Sequence, residues 1–223
     1  MIKKIAILVG LLTVMAMSVY ASFDGTITLA NDTSQYAYGN GGEFKAVTSG
    51  LGTFQTFCME HNEEFYPGVT YNYRINTGTV SGGVGSHEVD PFTGKSMDNI
   101  SIGTAWLYSQ FRAETLTGYN YTYGSDRTLS ANALQQAIWW LEDEGGTKNS
   151  YVTIAESILH LNDTTIKGDS EGAFGVVALN LYDRNSGVNA QDQLAIVPEP
   201  TAMMAGILLL LPFCASTLRI GKR

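Results

Sequence analysis

The most informative segment of the chain reads Ala133-Leu134-Gln135-Gln136-Ala137-Ile138-Trp139-Trp140. Its apolar residues recur at the i, i+3, i+4 and i+7 spacing of one helix face, namely Leu134, Ala137, Ile138 and Leu141. Ser130 is the expected N-cap, and Glu144-Gly145-Gly146 is the expected end of this helix. Gln135 is therefore expected in the first or second turn, as an amide on an otherwise apolar helix.

The first 21 residues have the layout of a secretory signal peptide. Lys3 and Lys4 precede an apolar run from Ile5 to Val19, and Val19-Tyr20-Ala21 offers small residues where a signal peptidase cleaves. We therefore expect export, with Ser22 as the mature start. The alternative is an uncleaved membrane anchor, for which the apolar run is shorter than a full span.

Residues 197–223 have the layout of a second processing segment. The motif Pro198-Glu199-Pro200 is followed by an apolar run from Thr201 to Leu218 and by a short basic end at Arg219, Lys222 and Arg223. This order resembles the PEP-CTERM sorting signal, with Pro198, Glu199 and Pro200 all present. The resemblance implies a membrane-anchored precursor, an exosortase-type membrane protease as partner, and a final place on the surface or in the extracellular matrix of a Gram-negative bacterium. An ordinary single-pass anchor is the alternative.

The chain is acidic, with 13 Lys and Arg against 21 Asp and Glu and a formal net charge of −8. Such a surface repels nucleic acid and anionic lipid, so no nucleic-acid partner is expected. Contact with an acidic exopolysaccharide would use aromatic faces or covalent chemistry. Alternating tyrosines such as Tyr71 and Tyr73 offer a candidate sugar-stacking face, although such residues more commonly form cross-strand pairs.

Residues 22–196 have the length of a single domain. Strands are expected at Gly25–Leu29, Gly42–Val47, Leu51–Glu60 and Tyr71–Ile75, and an irregular loop is expected over 78–98. Helices are expected at Ile102–Leu116, around Gln135 and at Tyr151–Leu161, followed by a hairpin of Gly172–Tyr182 and Gln193–Val197 around Asn185-Ser186-Gly187. This order predicts an α+β fold, a β-rich barrel or sandwich with an inserted helical subdomain.

Cys58 is the one cysteine of the domain, since Cys214 lies in the C-terminal segment. By strand alternation, Cys58 shares a face with Phe54 and Thr56, whereas Phe57 and Met59 point the other way. An unpaired thiol in an exported protein can be buried and inert, can join two chains, or can be consumed by another bond. The context favours the third explanation.

A thioester with a glutamine is a bond of that kind. Cysteine sulfur attacks the side-chain carbonyl and ammonia leaves, which requires both groups to be held together on rigid elements. We expect Cys58 and Gln135 to form this pair, with free N–H groups at the helix start stabilising the developing charge. Apolar neighbours would shield the bond, and the expected set is Phe57, Met59, Ile138, Trp139 and Trp140.

The same residues carry a family resemblance. Phe57-Cys58-Met59, the aromatic helix segment Ala105-Trp106-Leu107-Tyr108 and Gln135-Gln136-Ala137-Ile138-Trp139 together resemble the bacterial surface thioester domain. Leu134 stands where that family often has threonine. The resemblance covers roughly residues 40–165 and implies a Cys58–Gln135 thioester, with Gln136 as the variable position. It further implies use as a covalent adhesin that reacts with an amine or hydroxyl on a surface ligand.

Several alternatives stay open. His61 could act as a proton shuttle, or activate Cys58 in a cysteine hydrolase, although it is more simply a polar loop residue. Glu60, Glu63 and Glu64 could bind calcium, but a solvated acidic run is the simpler explanation. A non-covalent structural protein of an exopolysaccharide matrix would have the same ends and fold. We expect a protein that reacts once, is not an enzyme, and needs no cofactor or metal.

Overall fold

The computed structural model describes residues 23–30, 37–38, 41–80, 88–90 and 94–197. The expected signal peptide and the motif Pro198-Glu199-Pro200 with its apolar tail lie outside these residues. Within the part of the chain that is described, no helix combines the length and apolarity needed to cross a bilayer.

Six antiparallel strands form the main sheet, in the spatial order β11-β10-β6-β1-β4-β5. Their ranges are β1 Gly25–Ala30, β4 Phe44–Thr48, β5 Thr53–Thr56, β6 Thr70–Asn76, β10 Val176–Asp183 and β11 Asn189–Ile196. Ile27 and Leu29 of β1 are fully buried and alternate with less buried neighbours, as expected for a strand with one face on a core. The fold is α+β, a β-rich half-barrel sheet with three helices.

Short strands complete the β-structure. β2 (Ala37–Tyr38) pairs with β3 (Gly41–Gly42), and β7 (Gly78–Val80), β9 (Ser96–Asn99) and β8 (Glu88–Val89) form a three-stranded sheet in that order. The irregular loop expected over 78–98 is therefore wrong for residues 78–80, 88–89 and 96–98, and its residues 81–87 and 91–93 lie outside the described residues. Tertiary contacts hold this segment, because Val80 N–H donates to Asp192 Oδ2 at 2.9 Å and Asn189 Nδ2 donates to the Val80 carbonyl at 2.9 Å.

Three helices follow, α1 Ile102–Arg112, α2 Ser125–Leu141 and α3 Ser150–Leu159. Ser101 caps α1, since its hydroxyl accepts from Thr104 N–H at 3.1 Å. The expectation that Ser130 caps α2 is wrong, because α2 begins five residues earlier, after Gly124. The Ser130 hydroxyl instead donates to the Asp126 carbonyl at 2.9 Å, one turn back within the helix.

The buried side chains form two clusters that meet at residues 57–59. Phe57 and Met59 belong to the cluster built around the three helices, whereas Cys58 belongs to the cluster on the main sheet. The alternation predicted for this segment is confirmed. Trp139 is the side chain of α2 that joins the sheet cluster, so helix and sheet come together beside Cys58.

Candidate functional site

Cys58 lies just beyond the end of β5, where the chain runs alongside β11. It forms an isolated antiparallel bridge with Gln193, flanked by hydrogen bonds from Met59 N–H to the Asp192 carbonyl and from Leu194 N–H to the Phe57 carbonyl. The side chain is fully buried and forms no disulfide. The sheet therefore fixes both the position and the direction of the thiol.

Gln135 lies well inside α2, ten residues after its first residue, and is 1% exposed. The expectation that it sits in the first or second turn is wrong. Its neighbours Leu134 and Ile138 are buried in the helical cluster, while Gln135 faces the sheet together with Trp139. A polar side chain at this depth needs hydrogen-bond partners.

The backbone of Cys58 supplies those partners. Gln135 Oε1 accepts from Cys58 N–H at 3.1 Å, and Gln135 Nε2 donates to the Cys58 carbonyl at 2.8 Å. The predicted pair is thus brought together across 77 positions of sequence. The two-point contact orients the amide plane, because donor and acceptor are both fixed by the main chain.

A second backbone donor reaches the same oxygen. Gly42 N–H donates to Gln135 Oε1 at 3.3 Å, so two N–H groups point at the carbonyl oxygen. Two such donors polarise the carbonyl and match the arrangement that stabilises an oxyanion in acyl transfer. We expected this role for the start of the helix, and that expectation is wrong because Gln135 is far from the first turn of α2. The donors come from the sheet side instead.

Gly41 closes the site from the β2–β3 side. A Cβ atom at this position would lie 2.6 Å from Gln135 Cγ and 2.5 Å from Trp139 Cη2. Only glycine allows the strand to approach the helix so closely. The Gly41-Gly42 pair therefore covers Gln135 and delivers the second N–H.

Of the expected shielding residues, Trp139 lies in the same cluster as Cys58, whereas Phe57, Met59 and Ile138 lie in the helical cluster. Trp140 is half-buried and packs against the helical cluster, with Lys167 Nζ 4.1 Å from its ring centroid. Successive helical residues point about 100° apart, so Trp140 does not share the sheet-facing direction of Trp139.

The sulfur itself contacts Gln193, a residue that the sequence analysis did not single out. Gln193 Nε2 lies 3.6 Å from Cys58 Sγ, and Gln193 is fully buried. Burial raises the pKa of the Cys58 thiol to about 12, and the Gln193 hydrogen bond opposes that rise while the charge of Glu60 adds to it. The available signal was Gln191-Asp192-Gln193, a polar run at the start of the strand expected over Gln193–Val197.

The acidic residues after Cys58 are not all solvated. Glu60 is 1% exposed, and its Oε2 accepts from Asp192 N–H at 3.0 Å. Burial, followed by the charge of Asp192, raises the pKa of Glu60. The expected solvated run is therefore wrong for Glu60. Among the described residues, no group of three or more acidic, histidine or cysteine side chains could hold a metal ion.

His61 lies at the surface near this site. Its ring packs edge-on against Trp139, with 4.7 Å between the ring centroids, and its backbone N–H donates to Glu144 Oε2 at 3.1 Å. In the described part of the chain, no hydrogen bond joins the His61 ring to Cys58. The structure therefore unites Cys58 with Gln135 and places His61 on the outer side of Trp139.

No protein-family model, curated protein or solved structure matches this chain.

Proposed function

We propose that this chain is an exported envelope or matrix protein that closes an internal thioester between Cys58 Sγ and Gln135 Cδ. The bond serves for one covalent attachment to an amine or hydroxyl on a surface, polymer or protein. The observation that best supports the proposal is the hydrogen bonding of Gln135, whose carbonyl oxygen accepts from the N–H groups of Cys58 and Gly42. A glutamine that served packing alone would not need two convergent backbone donors beside a thiol.

Thioester formation needs only the side chains and backbone groups that meet at this site. Sγ attacks Cδ, negative charge develops on Oε1, and the two N–H groups stabilise that charge. The bond from Cδ to Nε2 then breaks, and the thiol proton leaves with the amide nitrogen as ammonia. The hydrogen bond from Nε2 to the Cys58 carbonyl holds the leaving group in place until then.

Burial fits a bond that must survive until its target arrives. Cys58 and Gln135 are both excluded from solvent, so water has no direct path to the thioester carbonyl. When a target amine or hydroxyl attacks Cδ, the thiol of Cys58 is released and Gln135 stays linked to the target. The protein reacts once, because re-forming the thioester would require Cys58 to expel the attached amine or alcohol and so to release the target.

The cysteine-hydrolase alternative fits this site less well. A hydrolase needs an accessible thiolate that turns over, usually with a depressed thiol pKa. Burial instead raises the pKa of Cys58 to about 12, and the thiol is fully enclosed. A thiol that is protonated at neutral pH can still attack an amide carbonyl once when that carbonyl is held in contact with the sulfur.

Intact mass tests the thioester. The denatured protein should be lighter than its sequence by one ammonia, and this loss should disappear in Cys58→Ala and in Gln135→Ala. Gln136→Ala is the matched control, since Gln136 is the neighbouring glutamine of the same helix but is half-exposed. A wild-type protein with the full mass of its sequence and one titratable thiol would contradict the proposal and favour the non-covalent matrix protein.

The sorting part of the proposal has its own test. Val197 N–H donates to the Gly175 carbonyl at 2.9 Å, so the described fold extends to the residue immediately before Pro198. Exosortase-type processing would therefore leave the sheet whole. We expect the mature protein from its native envelope to begin at Ser22 and to lack residues 201–223. A mature mass that includes the apolar tail would favour an ordinary membrane anchor.

A further inference from the structure

Two glutamine side chains meet Cys58, and they meet different parts of it. Gln135 binds the backbone N–H and carbonyl of Cys58, whereas Gln193 reaches the sulfur. In the described part of the chain, Gln193 is the only side chain hydrogen-bonded to Sγ. It is therefore placed to act on the charge of the sulfur, and Gln135 is not.

We propose that Gln193 is a catalytic residue of the thioester chemistry, with its Nε2–H donating to Cys58 Sγ whenever that sulfur carries negative charge. The inference rests on the thioester proposed above and assigns a role to a residue outside the Cys58–Gln135 pair. Negative charge develops on Sγ at two moments. The first is loss of the thiol proton as Sγ attacks Gln135 Cδ, and the second is departure of Sγ when an incoming nucleophile breaks the Sγ–Cδ bond.

The orientation of Gln193 supports a donor role. A primary amide has two N–H groups, and Nε2 of Gln193 lies 3.3 Å from the Gln191 carbonyl as well as 3.6 Å from Sγ. One N–H is thus anchored to the residue's own strand, which directs the other toward the sulfur. The bridge between Cys58 and Gln193 fixes the two backbones opposite each other, so the contact does not depend on a flexible loop.

The carbonyl oxygens distinguish the donor from the acyl partner. Gln135 Oε1 accepts two backbone N–H groups, whereas Gln193 Oε1 is buried with no hydrogen-bond partner in the described structure. An amide becomes electrophilic only when its oxygen can take up negative charge. Gln135 therefore supplies the acyl carbon, and Gln193 supplies an N–H.

The site also explains why such a donor is needed. Burial is the largest influence that disfavours the thiolate of Cys58, and the charge of Glu60 acts in the same direction. The Gln193 hydrogen bond is the influence that works against both. Without it, the sulfur would be a poor leaving group in a site that already resists negative charge.

Aminolysis of the purified protein by methylamine tests this role. Gln193→Met keeps the volume and removes the N–H, so methylamine should add to Gln135 at least roughly tenfold more slowly than in the wild type. Gln193→Glu should be slower still, because a carboxylate beside Sγ opposes the leaving thiolate. Gln191→Met is the matched control, since Gln191 is a buried glutamine two residues away whose Nε2 binds the Glu60 carbonyl and not the sulfur.

The outcomes separate this inference from the thioester itself. Absence of the ammonia loss in the wild type would overturn both. If the wild type forms the thioester but methylamine adds at equal rates to the wild type, Gln193→Met and Gln191→Met, only the role of Gln193 is overturned. If the thioester is retained in Gln135→Met and lost in Gln193→Met, then Gln193 is the acyl partner and the inference is overturned. If Gln193→Met forms no bond, an unfolding midpoint equal to that of the bond-free Cys58→Ala supports the inference, and a midpoint well below it overturns the inference by showing that the fold itself is lost.

Discussion

Main-chain atoms hold the side-chain amide of Gln135. Its three hydrogen bonds run to Cys58 N–H, Gly42 N–H and the Cys58 carbonyl. Substitution of the Cys58 side chain leaves all three in place. The sensitive positions are therefore the ones at which the backbone must approach closely, and Gly41 is the clearest of them.

At this scale we predict that Gly41→Ala disturbs both stability and chemistry. The new methyl group would meet Gln135 Cγ at 2.6 Å and the Trp139 ring at 2.5 Å, so strand β3 must move away from α2. We expect a loss of about 1–3 kcal/mol in the free energy of unfolding and a lower fraction of protein lacking ammonia. Denaturant unfolding and intact mass measure the two effects.

Gly50→Ala is the control for Gly41→Ala. Its nearest neighbour would be the Tyr73 hydroxyl at 3.0 Å, the far end of a side chain that can shift. We expect an unchanged thioester fraction there. Wild-type behaviour of Gly41→Ala in both measurements would show that close approach of β3 is not required.

Between elements, a buried ion pair connects the β3–β4 junction to α2. Glu43, which lies between β3 and β4, is fully buried, and both of its carboxylate oxygens accept from Arg127 on α2. The Tyr119 hydroxyl donates to Glu43 Oε2 at 2.7 Å. Because Glu43 follows Gly42 directly, this network holds the Gly42 N–H that donates to Gln135 close to the helix.

We predict that Arg127→Met costs about 3–5 kcal/mol of unfolding free energy, because it leaves the Glu43 carboxylate buried without its cation. Lys148→Met removes the surface ion pairs with Glu156 and Asp163 and should leave the free energy of unfolding close to that of the wild type. Denaturant midpoints compare the two variants. Restoration of stability by adding Glu43→Gln to Arg127→Met would confirm the cause, and equal losses in the two single variants would contradict it.

A second buried carboxylate connects two helices. Glu142, just after α2, accepts from the backbone N–H and the hydroxyl of Ser101, the N-cap of α1, at 3.2 and 2.7 Å. Burial outweighs these bonds and raises the pKa of Glu142 from 4.5 to about 7. The folded chain therefore holds this proton more tightly than the unfolded chain does.

The sign of the pH dependence follows from that difference. Between about pH 4.5 and about pH 7 the folded state binds more protons, so this carboxyl makes stability fall as pH rises through the window. Glu142→Gln should remove up to roughly 3 kcal/mol of this change in the free energy of unfolding between about pH 4.5 and about pH 7. Thermal unfolding at several pH values in this window tests the prediction, with the exposed Glu64→Gln as the control. An unaltered pH dependence of stability in Glu142→Gln would contradict the prediction.

Across the whole molecule, the proposed bond would tie the sheet to the helical part. It would close a loop between positions 77 residues apart, which by analogy with a disulfide stabilises the fold by about 4 kcal/mol. The hydrogen bonds of Gln135 go to the backbone of Cys58 and survive in Cys58→Ala. The covalent contribution can therefore be separated from them.

A double-mutant cycle of Cys58→Ala and Gln135→Ala measures that contribution. We expect a coupling energy of about 4 kcal/mol, and a midpoint for each single variant lower than wild type by roughly 10 °C. Gln136→Ala should leave the midpoint close to wild type. A coupling energy near zero would mean that packing and hydrogen bonds alone join helix and sheet.

The amino-acid sequence alone was enough to predict the α+β class and most strands and helices, because alternation and helical spacing are local patterns. The Cys58–Gln135 pair was expected from the unpaired cysteine and from the resemblance to the thioester domain. The sequence could not place the start of α2 at Ser125, since Gly124 offers no side-chain cap and Arg127 is held by a residue 84 positions away. The strands within 78–98 were missed because each is short, β7 pairs with β9 about 20 positions away, and the end of β7 at Val80 is bonded to Asn189 and Asp192.

The tertiary structure alone decided what surrounds the pair. Gly42 N–H reaches Gln135 from 93 positions away, and Gln193 reaches the sulfur from 135 positions away. Backbone approach across such separations depends on how the sheet and helix pack, which no local pattern encodes. Sequence thus pointed to two side chains, whereas the fold brought the N–H groups of Cys58 and Gly42 to the Gln135 carbonyl and the amide of Gln193 to the sulfur.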